Sequence, residues 1–147
     1  MSVVGVGEPN THDGPILTLT TDNRLRDTEG GDMRRYLVEV GMGTDLHHPD
    51  PTKCAVRAVR DAIYHCSMLG LKECNLLQSI KDMYVKIKIC VPFPEKVDRD
   101  AVLKEIPYGQ RELEVADGGL LEEGSLLRDG KRDNIMVAVA AVTVMVP

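Results

Sequence analysis

A chain of 147 residues, 43% apolar and 28% charged, has the composition of one globular domain with a modest core, and no apolar run approaches the roughly 20 residues that a membrane helix needs. With no Trp and one Phe, the core has to be built from Val, Ile, Leu, Ala and Met, and base stacking on aromatic side chains is not expected. The net charge of −5 is uneven: residues 1–32 hold six acids against two Arg, and residues 33–147 hold seventeen against sixteen basic residues, so the body of the chain is nearly neutral and nucleic acid is a poor partner.

Residues 1–32 lack the apolar stretch of a secretory signal and are too acidic for an organelle transit peptide, so they read as a mobile acidic extension to a single domain over residues 33–147. Within them Pro15 to Thr21 alternates in a way that could add a strand. From Arg34, Tyr36, Val38 and Val40 fall on one side and Arg35, Leu37 and Glu39 on the other, which predicts a strand ended by a Gly41-Met42-Gly43 turn. Asp50 followed by Pro51 is a helix start, since the Asp side chain accepts from free N–H groups and Pro at the first position loses no hydrogen bond. Ala55, Val59, Ala62, Ile63 and Cys66 recur at helical spacing, with Arg57 and Asp61 four apart on the opposite face and Gly70 as the stop.

Val85, Ile87, Ile89 and Val91 then alternate with Tyr84, Lys86, Lys88 and Cys90 in a second strand. Asp98 caps a short helix carrying Ala101, Val102 and Ile106, and a third strand places Leu113 and Val115 inward before Asp117, Gly118 and Gly119 turn the chain. A polar loop leads to a last strand, Ile135 to Val146, apolar on both faces and so expected to be fully buried. Four cysteines without CxxC spacing read as buried, reduced thiols in a cytoplasmic protein and argue against a zinc cluster. The expectation is therefore α+β, one β-α-β-α-β-β domain with a four-stranded mixed sheet, two helices on one face, parallel first and second strands, and an antiparallel pair of the third and fourth. Two helices leave the second face uncovered, and its apolar residues predict a homo-oligomer, a ring of three, with small-molecule pockets where subunits meet.

The runs GMGTDLHHPDPTK, AVRAVRDAI, VKIKICVP, EIPYG and VADGG, in this order, resemble a small family of uncharacterised bacterial conserved proteins, the Listeria-type hypothetical protein family, over Arg34 to Val146. Its order of elements is similar to the Bacillus chorismate-mutase-like fold, shared by the YjgF-type imine/enamine deaminase trimers and the C-terminal domain of tubulin-type proteins. The resemblance puts the family's Asp, His, Asp and Lys at Asp45, His47, Asp50 and Lys53. It also matches Lys88, Gly118 and Gly119. Where the family usually has Gly this chain has His48, and Pro51 follows Asp50.

The stretch from Gly41 to Lys53 gathers acids, imidazoles and backbone N–H groups at a helix N-terminus, the pattern of an acid/base or ligand site. His47 and Asp45 are the candidate catalytic residues. Lys53, Lys88 and the Gly118-Gly119 turn are the candidate ligand contacts, with Lys53 able to hold an anion beside the helix end. No cofactor or metal is expected. The fold analogy implies hydrolytic or deaminating chemistry on a small polar nitrogen compound, and the rival reading is a non-catalytic metabolite-binding or assembly module.

Overall fold

The computed structural model describes residues 32–147 and the two segments Thr18–Leu19 and Leu25–Arg26. The expectation of an acidic extension over residues 1–32 therefore falls mostly outside the described residues. Those segments, β1 (Thr18–Leu19) and β2 (Leu25–Arg26), pair antiparallel, and β2 joins the start of β3 (Asp32–Asp45). Next come α1 (Pro51–Tyr64), the single-turn α2 (Gly70–Glu73), β4 (Tyr84–Cys90), α3 (Arg99–Leu103), β5 (Gln110–Ala116), β6 (Leu120–Leu126) and β7 (Arg132–Val146).

The main sheet is mixed and runs β3-β7-β4-β5, with β6 on the same side of β7 as β4 and beyond its end. β7 is antiparallel to β3, β4 and β6, while β4 and β5 are parallel. The α+β class holds, but the long strands number five instead of four. The additional strand is Leu120–Leu126, whose Leu-Leu-Glu-Glu-Gly-Ser-Leu sequence does not alternate and whose residues are largely exposed. It is held by backbone pairing, Leu120 against Val137 through Leu126 against Arg132, and by the Arg132–Glu123 ion pair. This strand, and not β5, makes the antiparallel pair with β7. The chain reaches it by crossing the end of β4 at Gly119 (φ 72°), where an added Cβ would lie 2.2 Å from the Val137 carbonyl oxygen.

The Gly41-Met42-Gly43 segment is not a turn. β3 continues through it to Asp45, and both glycines lie under α1, where a Cβ on Gly41 would stand 2.3 Å from the Ala58 carbonyl oxygen and one on Gly43 2.0 Å from that of Cys54. The helix matches them with small residues: Cys54, Ala55, Ala58, Val59 and Ala62 are fully buried against the sheet. Its start is as expected, with the Asp50 carboxylate accepting from the Thr52 amide at 2.8 Å and Pro51 in the first turn. Its end is earlier than expected, at Tyr64, and Gly70 instead opens α2. Arg57 and Asp61 do not pair with each other; Asp61 accepts from the Met42 amide at 2.8 Å and Arg57 donates to the Thr44 carbonyl, so both serve the outer edge of β3.

α3, capped by Asp98 accepting from the Asp100 and Ala101 amides, packs beside α1 on the same face. Between helices and sheet lie Val85, Ile87 and Ile89 of β4 and Met136, Ala138, Ala140, Val142 and Val144 of β7. β7 is not buried on both faces as expected. Its other side belongs to an open surface where Val38 (44% exposed), Val40 (61%), Met42 (59%) and Val139 (40%) form an apolar half. The opposite half carries Lys86 paired with Glu112 at 3.5 Å and Lys88 with Glu114 at 2.9 Å. At one end of this surface Met33, Tyr84 and Met145 bury each other. All four cysteines are free, but only Cys54 is fully buried and Cys74 is exposed, so the expectation of buried thiols holds for one of them.

Because the α1 backbone sits where a Gly43 side chain would have to go, Gly43→Ala forces helix and strand apart. We expect a loss of about 3 kcal/mol or more, read as a fall in melting temperature on the order of 10 °C. An unchanged melting temperature would show that the contact has slack.

Candidate functional site

β3 delivers Asp45 to the end of the sheet beneath the first two turns of α1, where its carboxylate is nearly inaccessible. Oδ1 takes the Lys53 ammonium and the Arg57 guanidinium, both at 3.0 Å, and Oδ2 accepts from the Asp50 amide at 3.4 Å. Burial alone would raise the carboxyl's pKa, but Lys53, the Asp50 amide and Arg57 together outweigh it and hold the group below the ordinary carboxylate range. A carboxylate so surrounded ties the end of β3 to the first turns of α1. Lys53, the expected anion contact, pairs with Asp45, and Asp50 caps the helix.

His47 fares differently. Its Nδ1 lies 3.1 Å from Oδ2 of Asp133, a buried acid at the start of β7, while the ring itself is largely exposed. Oδ1 of Asp133 accepts from the His48 amide at 3.1 Å and from its neighbour Asn134 at 2.8 Å. The His48 amide is the main influence that keeps the Asp133 pKa low, against burial and with help from Asn134 and His47. An ionised carboxylate only accepts, so Nδ1 is the donor of this pair and Nε2 is left as the ring's other nitrogen. A carboxylate orienting an imidazole is an arrangement suited to accepting a proton. Asp133 was not legible in the sequence: it lies 86 residues from His47 and reads locally as the last polar residue before a strand.

His48 takes a left-handed backbone (φ 47°), a conformation that glycine adopts without strain. Beside it opens a groove of ≈ 700 Å³ between the Pro49–Pro51 connection, Phe93 and Lys96 after β4, and the β6–β7 hairpin. Lys88 is remote from this place, on the open sheet surface, where Glu114 raises its pKa through a direct hydrogen bond. Gly118 and Gly119 do form the expected turn (φ 154° and 72°), but they pack against Cys90 and Val137 and let the strand cross. The six predicted site residues thus separate into three groups: Asp45 and Lys53 in one ion-pair cluster, His47 beside it on Asp133, and Lys88 and the glycine turn elsewhere. Among the described residues no three His, Cys, Asp or Glu side chains are gathered for a metal ion, and no helix is long and apolar enough to cross a membrane.

A mixed sheet with helices on one face and an ion-paired strand end beneath a helix N-terminus places the chain in the α+β class without assigning a reaction. The family described as conserved hypothetical protein (Lin0512_fam) matches residues 35–144, and the chain belongs to it. It is similar to an FtsZ-like protein of unknown function from Nostoc punctiforme PCC 73102, known from a crystal structure, with 37% identity and a TM-score of 0.69 over 77% of this chain and 95% of that one. No curated protein matches.

Depressed carboxylates at Asp45 and Asp133 stabilise the fold above the ordinary carboxylate range, and that contribution is lost as pH falls through their folded values. Urea unfolding at neutral pH and at about pH 3 should therefore show a drop in stability for the wild type. Asp45→Asn should be less stable by about 1–3 kcal/mol at neutral pH, with a smaller drop on acidification. Equal acid sensitivity in the two proteins would remove Asp45 from this account.

Proposed function

We propose that the protein works as a homo-oligomer whose copies pack over the open surface of the sheet, with small molecules bound at the seams. The observation that carries this reading is the exposed apolar row of Val38, Val40, Met42 and Val139 on the face that α1 and α3 do not reach. An apolar surface of this kind beside paired charges favours burial against a copy of itself. Lys86 and Lys88, each paired with a Glu on β5, would stand at the rim, where a ligand in the seam would meet them.

The finer fold type we infer is the Bacillus chorismate-mutase-like one. An order of β3-β7-β4-β5 in which only β7 runs antiparallel supports it, as does the likeness to a protein described as FtsZ-like. A ring of three is the arrangement this analogy favours. A cytoplasmic location belongs to the same proposal and is supported by four free thiols.

The Asp133-oriented imidazole of His47 favours a second reading, a hydrolase or deaminase acting on a small polar nitrogen compound, with His47 Nε2 taking the proton from an attacking water.

Light scattering on the full chain should give a mass of several subunits, three on this proposal. Val40→Asp, which sets a charge at the most exposed apolar position of the strand, should give a folded monomer. A monomeric wild type, or an unchanged oligomer in the variant, overturns the assembly reading. For the enzymatic reading, ammonia release from a panel of small amidines, imines and cyclic amides should be seen with the wild type and fall by about 100-fold or more in His47→Ala; equal rates would exclude His47.

A further inference from the structure

We propose that the groove between the β3–α1 connection and the β6–β7 hairpin binds a small carboxylate carried on an apolar body, its charge held between Lys96 and Lys131. The inference is independent of how copies assemble, because the groove lies at the end of the sheet and not on its open surface.

The volume of ≈ 700 Å³ is within the range of ligand sites. Its lining carries three cations, Lys96, Lys131 and Arg132, against two carboxylates, Asp129 and Asp133. Asp133 is occupied by His47 and two amides, and Arg132 is turned to Glu123 at 3.2 Å. The Asp129 carboxylate closes on the Lys131 amide at 3.1 Å. Lys96 and Lys131 remain, neither paired with an acid among the described residues. The Lys96 ammonium rests 4.6 Å from the centre of the Phe93 ring, which places the charge at the groove wall without neutralising it.

Apolar side chains line the space beside these cations: Phe93, Leu121, Leu127 and Met136. Phe93 and Leu121 are substantially exposed there. The backbone points to the same place. Of the three residues other than glycine with positive φ among the described residues, two, His48 and Phe93, line this groove. A phenylalanine adopts that conformation only when its surroundings enforce it, and such enforced positions gather at binding sites. An anion with an apolar body satisfies both halves: the carboxylate meets the two ammonium groups and the body covers the leucines and the ring. Inorganic phosphate would satisfy one half alone.

The test is an NMR titration of the full-length, isotopically labelled protein with benzoate, its neutral analogue benzamide, and inorganic phosphate. Benzoate should bind saturably in roughly the millimolar range expected of so small a ligand, moving the amides of Phe93, Glu95, Lys96, Leu121 and residues 127–134. Benzamide and phosphate should each bind at least about fivefold more weakly. Lys96→Ala combined with Lys131→Ala should weaken benzoate by about fivefold or more. Phe93→Gly, which relieves the backbone while removing the wall, should stay folded by its spectrum and lose benzoate. No saturation, shifts centred elsewhere, benzamide or phosphate equal to benzoate, or full affinity in the lysine double variant would each overturn the proposal.

Discussion

The close approach of α1 to β3 is the contact on which the rest of the molecule depends. Two glycines in the strand and a run of Cys, Ala and Val on the helix let the backbones meet with almost no side chain between them. Only at that distance can Asp61 reach the Met42 amide and Arg57 the Thr44 carbonyl, which closes the strand's free edge. The same closeness brings Lys53 and Arg57 over the strand end, so that Asp45 can be buried as an ion. Larger side chains at Gly41 and Gly43 would lift the helix, uncover the edge and strand the carboxylate.

Two acids then divide the work at the sheet's end. Asp45 ties strand to helix, while Asp133, reaching across from β7, holds both the His47 ring and the His48 amide. The connection between β3 and α1 is thus pinned at both ends, and the left-handed turn at His48 is kept in place by a hydrogen bond to its own N–H. One acid is enclosed by cations. The other supports an imidazole open to solvent, and that asymmetry separates scaffold from candidate chemistry.

The parts of this arrangement legible in the sequence were those governed by local periodicity and capping. The alternation of Val85, Ile87 and Ile89, the Asp50-Pro51 helix start and the Asp98 cap all appear as read, because each depends on neighbours a few residues away. Family membership was legible too, through motifs spread along the chain. What failed depended on partners distant in sequence. Glycines that look like a turn are a strand beneath a helix, an exposed edge strand has no hydrophobic signature, and Arg57 and Asp61 prefer a strand edge to each other. The candidate site suffered most, since Asp133 and the lysines of the groove are joined to His47 and His48 by the fold alone.

The position of β7 has a consequence for how the molecule is made. It joins β3 to β4 and supports β6, yet it follows every other described strand in chain order. During synthesis β3, β4, β5 and β6 leave the ribosome before the strand that will unite them, and β3 and β4 have no ladder with each other to form in the meantime. Folding must therefore wait for long-range closure, with unpaired edges waiting for their partner, a regime in which chains fold slowly and self-associate wrongly. Changes that delay the arrival of β7 should reduce yield before they alter any property of the finished protein.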